Sequence, residues 1–278
     1  MEKNLLIIDG HNLLFRMFFG MPFPLMDKDG EDVTATVGFI GTVVKMINFL
    51  KPTHCIVVFD GENSLHERSD GMYKKNRIID YSGSCNNPFV HLLLIKKTLK
   101  YLNIAFIETD GIEADDYIAQ LKFRFNGTVY ISSTDQDFFQ LIDNKTLIFR
   151  YNGKKSFIID GTYLQEKFGI NADDFVLYKA LVGDKSDNIK GVPGIGLATA
   201  RKIIFNLRDK NRLICKNDEF NIKLEKHMDT INYNIKLIRL TNRCDIITLS
   251  ESQMSINTNA FANFRTMDNV YAAKNLII

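Results

Sequence analysis

The sequence contains no apolar run near the roughly 18 residues that a membrane span requires, and MEKNLLIID leads straight into a strand-like segment, not a signal peptide. A membrane protein is thereby excluded, and a cytoplasmic location is expected. Its four cysteines, Cys55, Cys85, Cys215 and Cys244, are widely spaced and form no CxxC pair. Neither a zinc site nor a disulfide framework is suggested, so the thiols are expected to be reduced and structural. Internal repeats and low-complexity stretches are missing too. A net charge of +2 gives no bulk argument for nucleic acid. What is present is enough apolar sequence, 45% of 278 residues, to bury one large core or two small ones. Charge is also unevenly placed: Leu181 to Arg243 carries 13 Lys or Arg against 7 Asp or Glu. Such a local excess suits either a solvated helical surface or a face that tracks phosphates.

The first half alternates. LLIID (5–9), HCIVVFD (54–60), IAFIET (104–109) and TVYISSTD (128–135) read as strands, separated by helical stretches at GFIGTVVKMINFL, 89–102 and 113–125. This rhythm predicts an α/β fold with a mainly parallel sheet and helices on both faces. Ligands in such sheets bind beyond the carboxyl ends of the strands. Asp9, Asp60 and Asp135 lie at or next to three of those ends. Residues 61–88 interrupt the rhythm as a long polar, basic excursion above that edge. After Asp160 the pattern becomes helical, through GTYLQEKFG, NADDFVLYKALVG and LATARKIIFNL. Beyond about 245 the tail is weakly patterned and receives no role.

Nine acids fall at strand ends or in tight clusters: Asp9, Asp60, Glu113, Asp115, Asp116, Asp135, Asp137, Asp184 and Asp187. Each group has a plain explanation. EADD (113–116) opens a helix, where the dipole and capping favour acids. Asp135 and Asp137 suit a turn, and Asp184 with Asp187 a solvated loop. Jointly they would repel unless cations neutralise them, and hard divalent ions with oxygen ligands, Mg²⁺ or Mn²⁺, meet that need. In GDKSDNIKGVPGIGLATARKI (183–203), Gly191, Gly194 and Gly196 permit a tight turn between helices with free backbone N–H groups at a helix start. Such a hairpin can grip phosphates without reading bases.

These segments resemble one family, the 5′-nucleases: flap endonucleases, phage 5′-exonucleases and the N-terminal nuclease domain of bacterial DNA polymerase I. The likeness runs from Leu5 to about Asn206, through IIDGHNLLFR, VVFDG, YKKNR, GIEADD, STDQDFFQL and GDKSDNIKGVPGIG. It implies a PIN-like nuclease domain over 1–160 with a helical arch at about 61–88. A helical C-terminal region over 161–278 would carry a helix-three-turn-helix element at about 183–206 that binds duplex DNA. The implied reaction is two-metal hydrolysis of phosphodiester bonds in branched or 5′-ended DNA, by a monomer. Asp9, Asp60, Glu113 and Asp115 would hold one ion; Asp135, Asp137 and Asp184 would hold the other. Asp115 would be shared, with Asp116 and Asp187 beside them.

The resemblance also gives Arg16 and Lys74 to the scissile phosphate, Arg77 to the arch lining and Tyr73 to a stacked base or the terminal nucleotide. Thr199, Arg201 and Lys202 join the three hairpin glycines on the duplex, with K⁺ on the hairpin carbonyls. Two positions depart from the family pattern. Ala198 stands where a lysine is usual, leaving its contact to Arg201 or Lys202, and His66 stands for an arch arginine. Alternatives are a PIN-type ribonuclease, a nuclease that removes RNA primers, and a structure-specific DNA-binding protein of weak catalysis.

Overall fold

The computed structural model describes residues 2–61, 87–210, 224–240 and 248–275. A six-stranded sheet organises them, in the order β3-β2-β1-β4-β5-β6. Its strands are β1 (Asn4–Asp9), β2 (His54–Phe59), β3 (Ala105–Glu108), β4 (Thr128–Ser132), β5 (Thr146–Arg150) and β6 (Phe157–Ile159). All pairs are parallel except β5 with β6. β2 is buried along its whole length and β1 from Leu5 onward, as expected where helices cover both faces.

Alternation along β1 and β2 divides the core. Leu5, Ile7, Ile56 and Val58 face one cluster, which includes α4 (Ala114–Arg124) and α6 (Phe175–Val182). Leu6, Ile8, Val57 and Phe59 face the other, with α1 (Gly10–Gly20), α2 (Thr34–Leu50) and α3 (Leu92–Tyr101). Two strands exceed the sequence reading: β5 and β6 are short and flank the polar turn Asn152–Ser156, so neither shows a long apolar run. The segment 62–86, with most of the expected arch, lies outside the described residues.

After β6 come α5 (Gly161–Phe168) and α6, then a two-stranded hairpin of β7 (Gly183–Asp184) and β8 (Ile189–Lys190). α7 (Leu197–Lys210) and α8 (Met228–Ile238) follow. The tail, unassigned from sequence, returns to the sheet layer. Ser255 bridges His54, the Ile256 amide donates to the Thr53 carbonyl at 3.1 Å, and Phe261 and Val270 enter the core of α2 and α3. Its last helix, α10 (Thr266–Lys274), follows the short α9 (Glu251–Met254).

Candidate nuclease site

β1, β2 and β4 are neighbours, so Asp9, Asp60 and the loop after Ser132 emerge along one carboxyl edge. Asp9 caps α1 by accepting the Asn12 amide at 3.1 Å. Asp60 caps a helix from a different strand: its Oδ1 accepts the Ala114 amide of α4 at 2.8 Å. Glu113, the residue before α4, makes no side-chain cap. Capping at the EADD segment is therefore done by Asp60, and Glu113 and Asp116 are buried with Asp115 partly so.

A chain of contacts joins the two halves of the edge. Ser133 Oγ donates to Asp9 Oδ2 at 2.7 Å and accepts the Asp135 amide at 3.0 Å. Asp135 Oδ1 accepts the Asp137 amide at 2.8 Å. The Lys179 ammonium, from α6, then bonds Asp137 and lies 2.6 Å from Asp184 Oδ2. Asp184 accepts the Ser186 amide at 2.8 Å, and Asp187 is 2% exposed. The turn reading of Asp135 and Asp137 thus holds together with their convergence, whereas the solvated-loop reading of Asp184 with Asp187 fails at Asp187, which is buried. Asn12 clasps the same loop from α1, donating to Thr134 Oγ1 at 2.6 Å and accepting the Thr134 amide at 3.0 Å. Asn12, Asp135, Lys179 and Asp184 line a cleft of about 460 Å³.

Electrostatics follow from burial. Asp9 is pushed up to about 6 by desolvation and by the charges of Asp60 and Asp135, despite the Ser133 and Asn12 hydrogen bonds. Asp137 is also raised to about 6, chiefly by burial, against the pull of Lys179. The more open Asp184 is held at about 2, since bonds from Lys179 and Ser186 outweigh its desolvation. Lys179 is held above the usual lysine range: burial opposes its charge, and its two carboxylates more than offset that. Carboxylates whose charge is disfavoured chiefly by burial, and further by one another, are a donor set that a divalent cation would relieve. By that measure the residues fit such ions. Among the described residues, no three acids are gathered closely enough to cage an ion as they stand.

Arg16, on α1, is partly buried; burial lowers its pKa, and the Tyr151 phenol works against that shift. Arg150, at the end of β5, lies over the Phe139 ring and feels both Asp135 and Arg16. In the hairpin, Gly191 has a packing role: a Cβ there would meet the Val182 carbonyl at 2.3 Å. Gly194 adopts a φ of 72°, whereas Gly196 faces open space. Thr199, Arg201 and Lys202 lie in the first turns of α7, and the Arg201 guanidinium rests against Gly169 at the end of α5. Tyr73, Lys74, Arg77 and His66 lie outside the described residues. Asn12, Ser133, Arg150 and Lys179 were not anticipated from sequence. For Lys179 a signal existed: one cation within the apolar helix FVLYKALV must be paired if it is buried.

A resolvase-like α/β unit followed by a helical SAM-fold unit is the class that these features define. The N-terminal resolvase-like domain of 5′-3′ exonucleases matches residues 4–169, and the C-terminal SAM fold of the same proteins matches 170–261. The chain belongs to the 5′-3′ exonuclease family and is a hydrolytic nuclease acting on DNA. It is 31% identical to a 5′-3′ exonuclease of Aquifex aeolicus, over 91% of this chain and 87% of the relative. It is 34% identical to DNA polymerase I of Caldicellulosiruptor bescii, over 72% of this chain but only 24% of that protein. The bacteriophage T5 flap endonuclease, solved in a pseudo-enzyme-product complex with DNA and metal ions, shares the fold: TM-score 0.66, 23% identity, 98% of this chain and 100% of that one. No helix among the described residues is long and apolar enough to cross a membrane.

Proposed function

We propose that this chain is a two-metal 5′-3′ exonuclease and structure-specific flap endonuclease acting on branched or 5′-ended DNA, as a cytoplasmic monomer serving replication and repair. The observation that carries the reading is the linked row of acids from Asp9 to Asp184 along one sheet edge, opening onto a cleft. Asp9, Asp60, Glu113 and Asp115 are assigned to one ion and Asp135, Asp137 and Asp184 to the other. Asp115 is shared, and Asp116 and Asp187 either join the ligands or stand directly behind them. Mg²⁺ or Mn²⁺ is the expected metal, since every donor is a hard oxygen. When bound, such ions supply an activated water and neutralise charge on the attacking and leaving oxygens.

The protein's own groups do the rest. Ser133 and Asn12 hold the acid-bearing loops in register, and Arg16 and Lys74 are assigned to the scissile phosphate, with Lys74 stabilising charge that grows in the transition state. Arg77 is assigned to the arch lining and Tyr73 to a stacked base or the terminal nucleotide. Gly191, Gly194, Gly196, Thr199, Arg201 and Lys202, with K⁺ on the hairpin carbonyls, are assigned to duplex phosphates.

The test presents end-labelled 5′-flap, nicked, single-stranded and RNA-primed substrates with Mg²⁺, Mn²⁺ or EDTA. Cleavage of DNA flaps and 5′ ends is expected with either metal and none in EDTA. Asp9→Ala and Asp135→Ala should abolish cleavage and leave DNA binding intact or stronger, because the acids repel bare phosphate. Near-normal turnover by both variants in Mg²⁺ would sink the two-metal assignment.

A further inference from the structure

Two partly buried arginines approach the acidic edge from opposite faces of the sheet. Arg150 is the last residue of β5. β4 and β5 run parallel with Ile131 opposite Ile148, so two residues further on Arg150 stands level with Ser133, which ties Asp9 to the Asp135 loop. Alternation turns Arg150 to the same side as Ile148, and its guanidinium carbon lies 5.6 Å from the centre of the Phe139 ring, which belongs to the same core cluster as Ile148. Arg16 comes from the other side, where α1 packs through Leu13 and Leu14. It is four residues beyond Asn12 and shares that face of the helix, and Asn12 is bonded to Thr134 in the same loop.

Neither guanidinium has a carboxylate of its own. Among the described residues, Arg16 and Arg150 form no ion pair and no side-chain hydrogen bond, so the N–H fork of each is open to an acceptor from outside the protein. Arg150 is anchored instead by its strand and by a ring that is itself 2% exposed, so its place does not depend on how the acids are arranged. Burial lowers its pKa, Asp135 and Tyr163 oppose that shift, and the charge of Arg16 adds to it. Two partly desolvated cations that repel one another are relieved by an anion that both can reach.

We propose that Arg150 is a further substrate-binding residue of the nuclease site, gripping a backbone phosphate of the cut strand within one nucleotide of the scissile bond, from the side of the sheet opposite Arg16. The inference rests on the reading that gives Arg16 the scissile phosphate. A guanidinium presents two parallel N–H groups to two phosphate oxygens, and one already seated on an aromatic ring loses little freedom on binding. With one arginine on either side of the strand ends, the DNA strand is held across the edge and the bond offered to the acids is fixed.

The experiment follows cleavage of 5′-flap DNA by the intact chain with Mg²⁺ under single-turnover conditions, below and at saturating enzyme, with flaps in which one linkage at a time is a neutral methylphosphonate. On all-phosphate DNA, Arg150→Met should lower the rate below saturation by about tenfold or more, the scale of losing a hydrogen bond to a charged group. Arg150→Lys should lose less, since it keeps the charge and gives up only the fork. Position then separates a phosphate contact from a packing role. A methylphosphonate within one nucleotide of the cut should slow wild type and abolish its advantage over Arg150→Met, whereas one about five nucleotides away should leave the full difference. A variant that merely loosens the packing on Phe139 would be slower by the same factor on every flap; that outcome, or no loss at all, overturns the proposal. Affinity for the same flaps in Ca²⁺, read by fluorescence anisotropy, repeats the comparison without turnover. If wild type cleaves none of the flaps, the nuclease-site reading falls, and the anisotropy pattern decides Arg150 by itself: a position-dependent loss upholds the phosphate contact and a uniform one overturns it. Should Arg150→Met not fold, Arg150→Lys carries the same comparison, with the same position dependence expected and a uniform loss, or none, overturning the proposal.

Discussion

A single hydroxyl connects the halves of the acidic edge. Ser133 Oγ donates to Asp9 and receives the Asp135 amide, so it orients one acid and fixes the loop that carries the next. Outer contacts of this kind typically matter ten- to a hundredfold in metal affinity or activity. Ser133→Ala should therefore weaken Mn²⁺ binding by the free protein about tenfold, while costing only about 1–2 kcal/mol of stability. Calorimetric titration checks it; wild-type affinity in the variant would show the hydroxyl to be incidental. Asp9 itself makes a pH prediction. With its pKa raised to about 6 by burial and by Asp60 and Asp135, the folded, metal-free protein binds a proton at a pH where the unfolded chain has lost it. Its stabilising contribution is complete below the unfolded carboxylate value and disappears as pH rises through 6. Melting temperature in EDTA should accordingly fall between pH 5 and pH 7, more in wild type than in Asp9→Asn, and Mg²⁺ should flatten the fall. A melting temperature that rises over that interval equally in both proteins would contradict the assignment. The acids were legible because carboxylates at strand ends are conspicuous in a one-dimensional pattern. Ser133 and Asn12 were not, since a serine or an asparagine beside a strand or in a helix looks the same whether or not it has a distant partner.

At the scale of elements, the β7–β8 hairpin that presents Asp184 and Asp187 depends on backbone approaching backbone. Gly183 has a φ of 86°, and a Cβ there would sit 2.4 Å from the Gly191 nitrogen; a Cβ on Gly191 would meet the Val182 carbonyl. Gly196 has open space at that point. The pair separates a packing role from a phosphate role. Gly191→Ala should lower stability by about 1–3 kcal/mol, the range for forced overpacking, with loss of both cleavage and duplex binding. Gly196→Ala should melt within about 0.5 kcal/mol of wild type, as surface changes do, so any loss of duplex affinity reports on the helix start alone. Thermal melts with gel-shift titrations distinguish them, and equal melting temperatures would refute the packing argument. The glycines were visible in sequence as a turn, but their division of labour depends on which backbone lies opposite. β1 and β2 were visible for a related reason: buried parallel strands read as nearly continuous apolar runs. β6 is a three-residue edge strand, exposed at Phe157 and Ile158, and carries no such demand.

For the whole molecule, the decisive feature is that the chain returns. Among the described residues, those after 250 return to the layer formed by the first half, against β2, α2 and α3. Phe261 and Val270 are 3% exposed within the core of α2 and α3, and the Asn48 side chain donates to the Phe261 carbonyl at 3.0 Å. Lys274 then closes the last helix onto the turn after α1: it bonds Asp27 and lies 3.1 Å from Asp29 and 2.8 Å from Glu31. Nothing in the tail's sequence announced this, because short helices with two or three apolar anchors have little periodicity of their own and gain their shape from the surface they cover. Burying Phe261 and Val270 contributes about 1.5–3 kcal/mol each. Together they amount to roughly 3–6 kcal/mol, a large part of the 5–15 kcal/mol that typically holds a domain together. The ion pairs that Lys274 makes with the exposed Asp29 and Glu31 add little by comparison. A chain cut after residue 249 should therefore lose several kcal/mol, exposing the α2–α3 face and binding a hydrophobic dye. Lys274→Ala should shift the melt by no more than about 1 kcal/mol. If instead the shortened chain melts cooperatively at the temperature of the full one, the tail is an appendage and the first domain is complete without it. If Lys274→Ala costs as much as the truncation, the acidic turn, and not the apolar anchors, is what fastens the C-terminal helix.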